Sequence, residues 1–326
     1  MRKIIVFIVL TIFIVYCVCF PRQMAASCAS GLALWYQNVV PTLLPFSILS
    51  YIIIHSNLYH ALFSKICGIL PSKAGFEAEL LYPLFFGFLF GFPIGAKLMA
   101  DLYETGHITG KGISFYTGVC NQFGPAFVIN YIGFIQLQGL VPIPYLLLSI
   151  YGPSIALLIL FPVMAQLKNG LFYRTGKNPL LQTLNRKVPE QQKKPASRSY
   201  LNFKIIDTGI INGFETMLRI AGYIVLFSIL SGALNQLPGQ HACFSSLVTG
   251  LLEVTTGVNK TISSGLSLEV MFCMICGTVS FGGFCGLFQT KAIMKNCPFH
   301  ISSYIVLKLC CAMVSACIAY VCIWQL

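Results

Sequence analysis

Apolar residues in this chain come in long runs, not at alternating or 3.6-residue spacing. The runs cover residues 4–20, 32–54, 80–98, 113–135, 141–167, 217–234, 242–258, 268–290 and 303–324. A helix that is apolar all round is buried in a large core or in a membrane. Roughly 20 such residues cross a hydrocarbon core. A weaker, mixed stretch at 58–70, containing Lys65, reads as an interfacial helix. Residues 205–214 read as an amphipathic helix leading into the run that follows. The pattern predicts an all-α, polytopic membrane protein with about eight or nine membrane segments. The first run follows Arg2 and Lys3, as in a signal peptide, with small residues at Ala25, Ala26 and Ser27. It exceeds the roughly 7–15 residues of a signal's apolar region, so residues 1–26 are read as a retained membrane helix.

Several runs are interrupted. Pro41 and Pro45 lie within 32–54, where each removes a backbone donor. Gly87, Gly91, Pro93 and Gly95 punctuate 80–98, and Asn121-Gln122-Phe123-Gly124-Pro125 splits 113–135. Broken backbone at membrane depth is tolerated only where protein or a water-filled cavity satisfies it.

Composition agrees with a lipid environment. Of 326 residues, 56% are hydrophobic and 9% charged, against about 25% charged in a soluble domain. The net charge of +12 is not a nucleic-acid signature, because nine of the 21 Lys and Arg fall between 168 and 204. That polar segment reads as a basic cytoplasmic linker, able also to contact anionic lipid headgroups. It separates residues 27–167 from 205–326. Most of the 14 cysteines lie in apolar runs and act as small hydrophobes. Cys273 and Cys276 have neither a second Cys pair nor a His cluster that would complete a metal site. The five scattered His read as interfacial.

Charge also bears on topology. With Arg2 and Lys3 inside, five full crossings before residue 168 would put the basic linker outside, against the positive-inside rule. If 80–98 is re-entrant, four crossings remain and the linker is cytoplasmic. A kinked full crossing with the N-terminus outside is the alternative.

The two parts share sequence. Phe46-Ser47-Ile48-Leu49-Ser50 recurs as Phe227-Ser228-Ile229-Leu230-Ser231. Phe90-Gly91-Phe92-Pro93-Ile94-Gly95 resembles Phe281-Gly282-Gly283-Phe284-Cys285-Gly286. Under the re-entrant topology these pairs form an inverted repeat with interrupted helices, a pattern of secondary transporters. Candidate solute contacts follow: Asn121 and Gln122 first, then Gly91, Pro93 and Gly95, then Gly282, Gly283 and Gln289. The amides can donate and accept, or instead satisfy backbone at the proline kink. The glycines also permit close helix packing.

Charged candidates inside the runs are Lys97, Glu215, Arg219 and Glu253. Lys97 and Asp101, like Glu215 and Arg219, stand at i, i+4 and suit mutual pairing. Glu253, with Thr255, Thr256 and Asn259, offers a coupling cation or a proton a binding site. No H-E-x-x-H, G-x-S-x-G or P-loop is present, so neither an enzyme, a cofactor nor a bound metal is expected.

The stretch Gly91-Phe92-Pro93-Ile94-Gly95-Ala96-Lys97-Leu98, with Asp101-Leu102-Tyr103-Glu104 and Gly106-His107-Ile108-Thr109, resembles the YlbJ-type sporulation integral membrane proteins. Cys120-Asn121, Gly124-Pro125-Ala126-Phe127 and Gly133 continue the likeness, as do Asn38, Pro41, Pro45, Gly222 and Gln289. Gln122 and Phe123 depart from the family pattern Cys-Asn-Asn-Ser-Gly-Pro. The resemblance implies two Gate, or nucleoside-recognition, repeats related to concentrative nucleoside transporters. It implies a multi-pass protein of the membrane around the forespore, moving a small anion such as dipicolinic acid. Half-helix N-termini at the breaks would face such an anion. The alternatives are a nucleoside-type transporter and a non-transporting scaffold for spore maturation.

Overall fold

The computed structural model describes residues 2–56, 58, 78–108, 110, 112–170, 202–236 and 241–325. The expected interfacial helix at 58–70 and the basic linker at 168–204 lie outside the described residues apart from positions 58, 168–170 and 202–204. The described residues are all-α. The first part holds α1 (Arg2–Cys19), α2 (Pro21–Leu34), a π-turn (Trp35–Val39) and α3 (Val40–His55). It continues with α4 (Ala78–Phe90), α5 (Ile94–Glu104), α6 (Ile113–Cys120), a π-helix (Phe127–Gln136) and α7 (Ile143–Gly170). The second part holds α8 (Phe203–Asn235), α9 (Ala242–Leu252), α10 (Val254–Ile262), α11 (Leu268–Phe281), α12 (Gly283–Ile293) and α13 (Ile301–Ile323).

Among the described residues, four stretches are long and apolar enough to cross a membrane: Ile143–Leu160, Phe203–Leu234, Leu268–Ile293 and Ile301–Ile323. Shorter apolar helices cover Leu43–His55, Leu80–Phe90, Phe127–Gln136 and Ala242–Leu252. Many large apolar side chains point outward, among them Ile159, Leu218, Met313 and Val321. On a water-facing surface this much exposed apolar area would drive association; in lipid it is solvated.

Two expected elements differ. Residues 205–214 and 217–234 are not separate helices, because α8 runs unbroken over 33 residues. No glycine pair or proline interrupts it there. Conversely, 242–258 is not one span. The chain is extended at Glu253 (φ −144°, ψ 121°), which separates α9 from α10.

Packing explains both results. α8 lies along α2 and α3. Gly31 sits against Ser228, and Gly232 against Ser27, so small residues bring the helices close. Trp35 Nε1 donates to the Met217 carbonyl at 2.9 Å, tying the π-turn to α8. α4 folds back on α5, and α9 on α10. Gly87 meets Gly95 in the first hairpin and Gly257 meets Gly250 in the second.

These hairpins change the pairing of the two parts. The sequence likeness set the break at 91–93 beside the one at 282. In chain order, the described helices after α1 run long helical segment, hairpin, interrupted helix, long helix in each part. The hairpin tip at 91–93 therefore stands where Glu253 does, and the break at 121–124 where Gly282 does. Phe and Gly are so abundant in this chain that a short match cannot fix the register.

Candidate functional site

Asn121 closes α6 with non-helical backbone (φ −91°, ψ 68°). The chain stays irregular to Gly124 and re-enters a helix at Pro125. A proline at a helix start loses nothing, because its missing N–H would have no partner there. The break at 91–93 packs directly on this one. A Cβ on Gly91 would run into the backbone of Gly124, and one on Gly95 would lie 2.7 Å from the Cys120 carbonyl oxygen. The Phe92 ring stacks over Gly286, reaching 3.4 Å from where a Cβ would stand. Gly283 packs on the Leu252 carbonyl and Val254 at the second hairpin's tip. Pro93, in a cis peptide with Phe92, is the N-cap of α5. Thus Gly91, Pro93, Gly95 and Asn121, expected as contacts from separate segments, come together, and Gly283 sits at the second hairpin's tip, linked to them through Phe92 on Gly286.

Asn121 joins three helices and is 1% exposed. Its Nδ2 donates to Thr290 Oγ1 at 3.0 Å and to the Tyr304 hydroxyl at 3.1 Å. Its Oδ1 accepts from the Ala96 N–H at 3.4 Å, in the first turn of α5. Its main-chain carbonyl accepts from Lys308 Nζ at 2.9 Å. Gln122 points elsewhere: Nε2 donates to Ser154 Oγ at 2.7 Å and to the Gly118 carbonyl at 3.2 Å. Its Oε1 is buried without a protein donor. Gln289 bonds within its own helix, Nε2 to Cys285 Sγ at 3.0 Å, so its neighbour Thr290 is the α12 residue that reaches Asn121. Gly282 takes a left-handed conformation (φ 87°) with open space around it.

The sporulation integral membrane protein YlbJ of Bacillus subtilis (strain 168) is 23% identical to this chain over 325 residues, covering 89% of the chain and 75% of the relative. The chain is thus similar to a YlbJ-type sporulation integral membrane protein. No protein-family model and no solved structure matches it.

The charged residues singled out from the sequence fall into three kinds. Lys97 is 4% exposed. Its Nζ lies 3.1 Å from Asp101 Oδ2 and donates at 2.6 Å to Asn212 Oδ1 on α8. The i, i+4 pairing is present, but it is buried and braces α5 against α8. Near the end of α5, Asn296 donates to Glu104 at 2.8 Å from the α12–α13 connection. In that connection, burial and the nearby Glu104 and Asp101 push the Cys297 thiol up to about 12. Glu215 and Arg219 are both exposed on α8, with no ion pair between them. Among the described residues, Arg219 reaches the Ala292 carbonyl, at 3.5 Å.

Glu253 is committed as a cap. Its carboxylate accepts from Thr255 N at 3.0 Å, Thr256 N at 2.7 Å and Thr256 Oγ1 at 2.7 Å. A carboxylate at a helix N-terminus satisfies free N–H groups and meets the positive end of the dipole. Replacing Glu253 with Ala should cost about 1 kcal/mol or somewhat more, with Gln recovering part. Thermal unfolding in detergent would read it, and equal stability of Ala and Glu would refute the cap.

Lys308 was not among the candidates expected from sequence. It lies on α13 at 2% exposure, next to the Asn121 carbonyl. The signal was available: it is the one ionisable Lys or Arg within the run 303–324, and such residues in membrane segments are functional by default.

Proposed function

We propose that this chain is a transporter-like protein of endospore formation, carrying a small anionic solute such as dipicolinic acid across the membrane around the forespore. The observation that carries this reading is that four helix breaks pack in two linked pairs deep within apolar helices: 91–93 on 121–124, and Gly283 on the chain around Glu253, with Phe92 on Gly286 joining them. Interrupting a membrane helix forfeits backbone hydrogen bonds that must be made up elsewhere. A protein that only holds membranes together has no use for four such breaks packed together in linked pairs. Hairpins α4–α5 and α9–α10 are then re-entrant, and the two parts form inverted Gate-like repeats. A re-entrant first hairpin keeps the basic linker cytoplasmic. The relationship to a sporulation integral membrane protein supports the setting. A coupling ion is part of the proposal, though Glu253 is already occupied by its capping bonds.

Uptake of labelled dipicolinate and of nucleosides into proteoliposomes tests the reading. The expected result is dipicolinate uptake, abolished when Asn121 and Gln122 are both replaced by Leu. Uptake of nucleosides alone would replace the solute class. No uptake of either by folded protein would leave a scaffold.

A further inference from the structure

Among the described residues two lysines are buried, and their surroundings differ. Lys97 has a carboxylate, Asp101, and an amide oxygen, Asn212. Lys308 has one acceptor, the Asn121 main-chain carbonyl, and forms no ion pair among the described residues. The thiols of Cys120 and Cys311 lie close enough to feel its charge. A carbonyl at the end of α6 attracts a cation, but one carbonyl does not balance a whole ammonium removed from solvent. An isolated buried charge is among the costliest arrangements in a protein unless an opposite charge joins it. A neutral donor would cap the same carbonyl without that cost.

The neighbours of Lys308 are suited to an anion. Tyr304 and Lys308 are four residues apart and share one face of α13. The Tyr304 hydroxyl and Thr290 Oγ1 both accept from the Asn121 amide, and Thr290 Oγ1 donates on to the Gly286 carbonyl, so an ammonium, two hydroxyls and an amide cluster at Asn121 between α6, α12 and α13. Residues from both parts of the chain contribute. We infer that Lys308 is the fixed positive charge of a carboxylate-binding site, completed by Asn121, Thr290 and Tyr304. This rests on the anion-transport reading above and names the residue that recognises the anion. A carboxylate entering here exchanges a single carbonyl acceptor for two anionic oxygens on the ammonium.

The test uses full-length protein in lipid nanodiscs and calorimetric binding of pyridine-2,6-dicarboxylate, its neutral diamide, inorganic phosphate and chloride. Lys308→Met and Lys308→Gln should weaken dicarboxylate binding about 100-fold, the scale of a lost charge-assisted hydrogen bond. Lys308→Arg should stay within about tenfold of wild type, because its charge persists. The diamide should bind no better to wild type than to Lys308→Met. Without ligand, Lys308→Met should be at least as thermally stable as wild type, since it removes an unbalanced buried charge.

Unchanged dicarboxylate affinity in Lys308→Met overturns the inference. A stability loss with unchanged affinity overturns it too, and marks Lys308 as a cap of α6. Phosphate or chloride binding as tight as the dicarboxylate overturns the carboxylate class. If Lys308→Met fails to insert, the Gln and Arg variants decide. Unaltered uptake by Lys308→Met sinks the site while leaving transport standing. Absent wild-type uptake with Lys308-dependent binding sinks transport while leaving the site.

Discussion

Lys97→Met alone should destabilise the protein by about 3–5 kcal/mol, the usual cost of stranding one member of a buried ion pair. Asp101 would stay 8% exposed and lose the ammonium 3.1 Å away. Asn212 on α8 would lose a donor at 2.6 Å, so the brace between the first hairpin and the second part of the chain would go as well. The double variant Lys97→Met, Asp101→Leu should recover most of the loss, because apolar pairs often replace buried ion pairs at little cost. Denaturant unfolding in mixed micelles reads both. Equal loss in the single and double variants would mean that packing of the lysine stem, and not charge, carries the contact. In uptake assays, the single variant should impair transport even where protein remains folded, since the hairpin would no longer be held to α8.

The second large effect is at Gly91, judged against Gly282. Both have left-handed backbones, with φ of 81° and 87°. An Ala at either position meets the same strain of roughly 1–2 kcal/mol. Only at Gly91 would the added carbon also collide with another segment, the Gly124 backbone; around Gly282 nothing lies within 4 Å. Overpacking of this kind adds about 1–3 kcal/mol. Gly91→Ala should thus be clearly more destabilising than Gly282→Ala and should separate the breaks at 91–93 and 121–124. Melting temperatures of the two variants side by side are the measurement. Equal shifts would show that the close approach of Gly91 to Gly124 carries no weight.

Much of the fold could be read from particular residues. The break at 91–93 was visible because Gly-Phe-Pro-Ile-Gly cannot continue a helix, and the one at 121–125 because an amide pair and Gly-Pro stand in an apolar run. The break at Glu253 was not visible. Leu252-Glu253-Val254 contains neither Gly nor Pro, and an acid in an apolar run looks like a site. What stops α9 there is the Glu253 carboxylate folding onto the Thr255 and Thr256 amides, a local bond that spacing does not announce. Lys97–Asp101 was legible as a pair, while its burial and its third partner, Asn212, depend on a helix more than a hundred residues away.

The sequence by itself determined that this protein lives in lipid, that it is helical, and where Gly and Pro make continued helix impossible. Those are properties of composition and of single-residue backbone chemistry. Tertiary structure alone decided which breaks meet. Gly87 on Gly95 and Gly257 on Gly250 are contacts between backbones, allowed by missing side chains but not encoded in any spacing. The same is true of Lys308. Its charge is plain in the sequence, but only the packing of α13 against α6 and α12 shows that the ammonium ends at Asn121 with no carboxylate among the described residues to balance it.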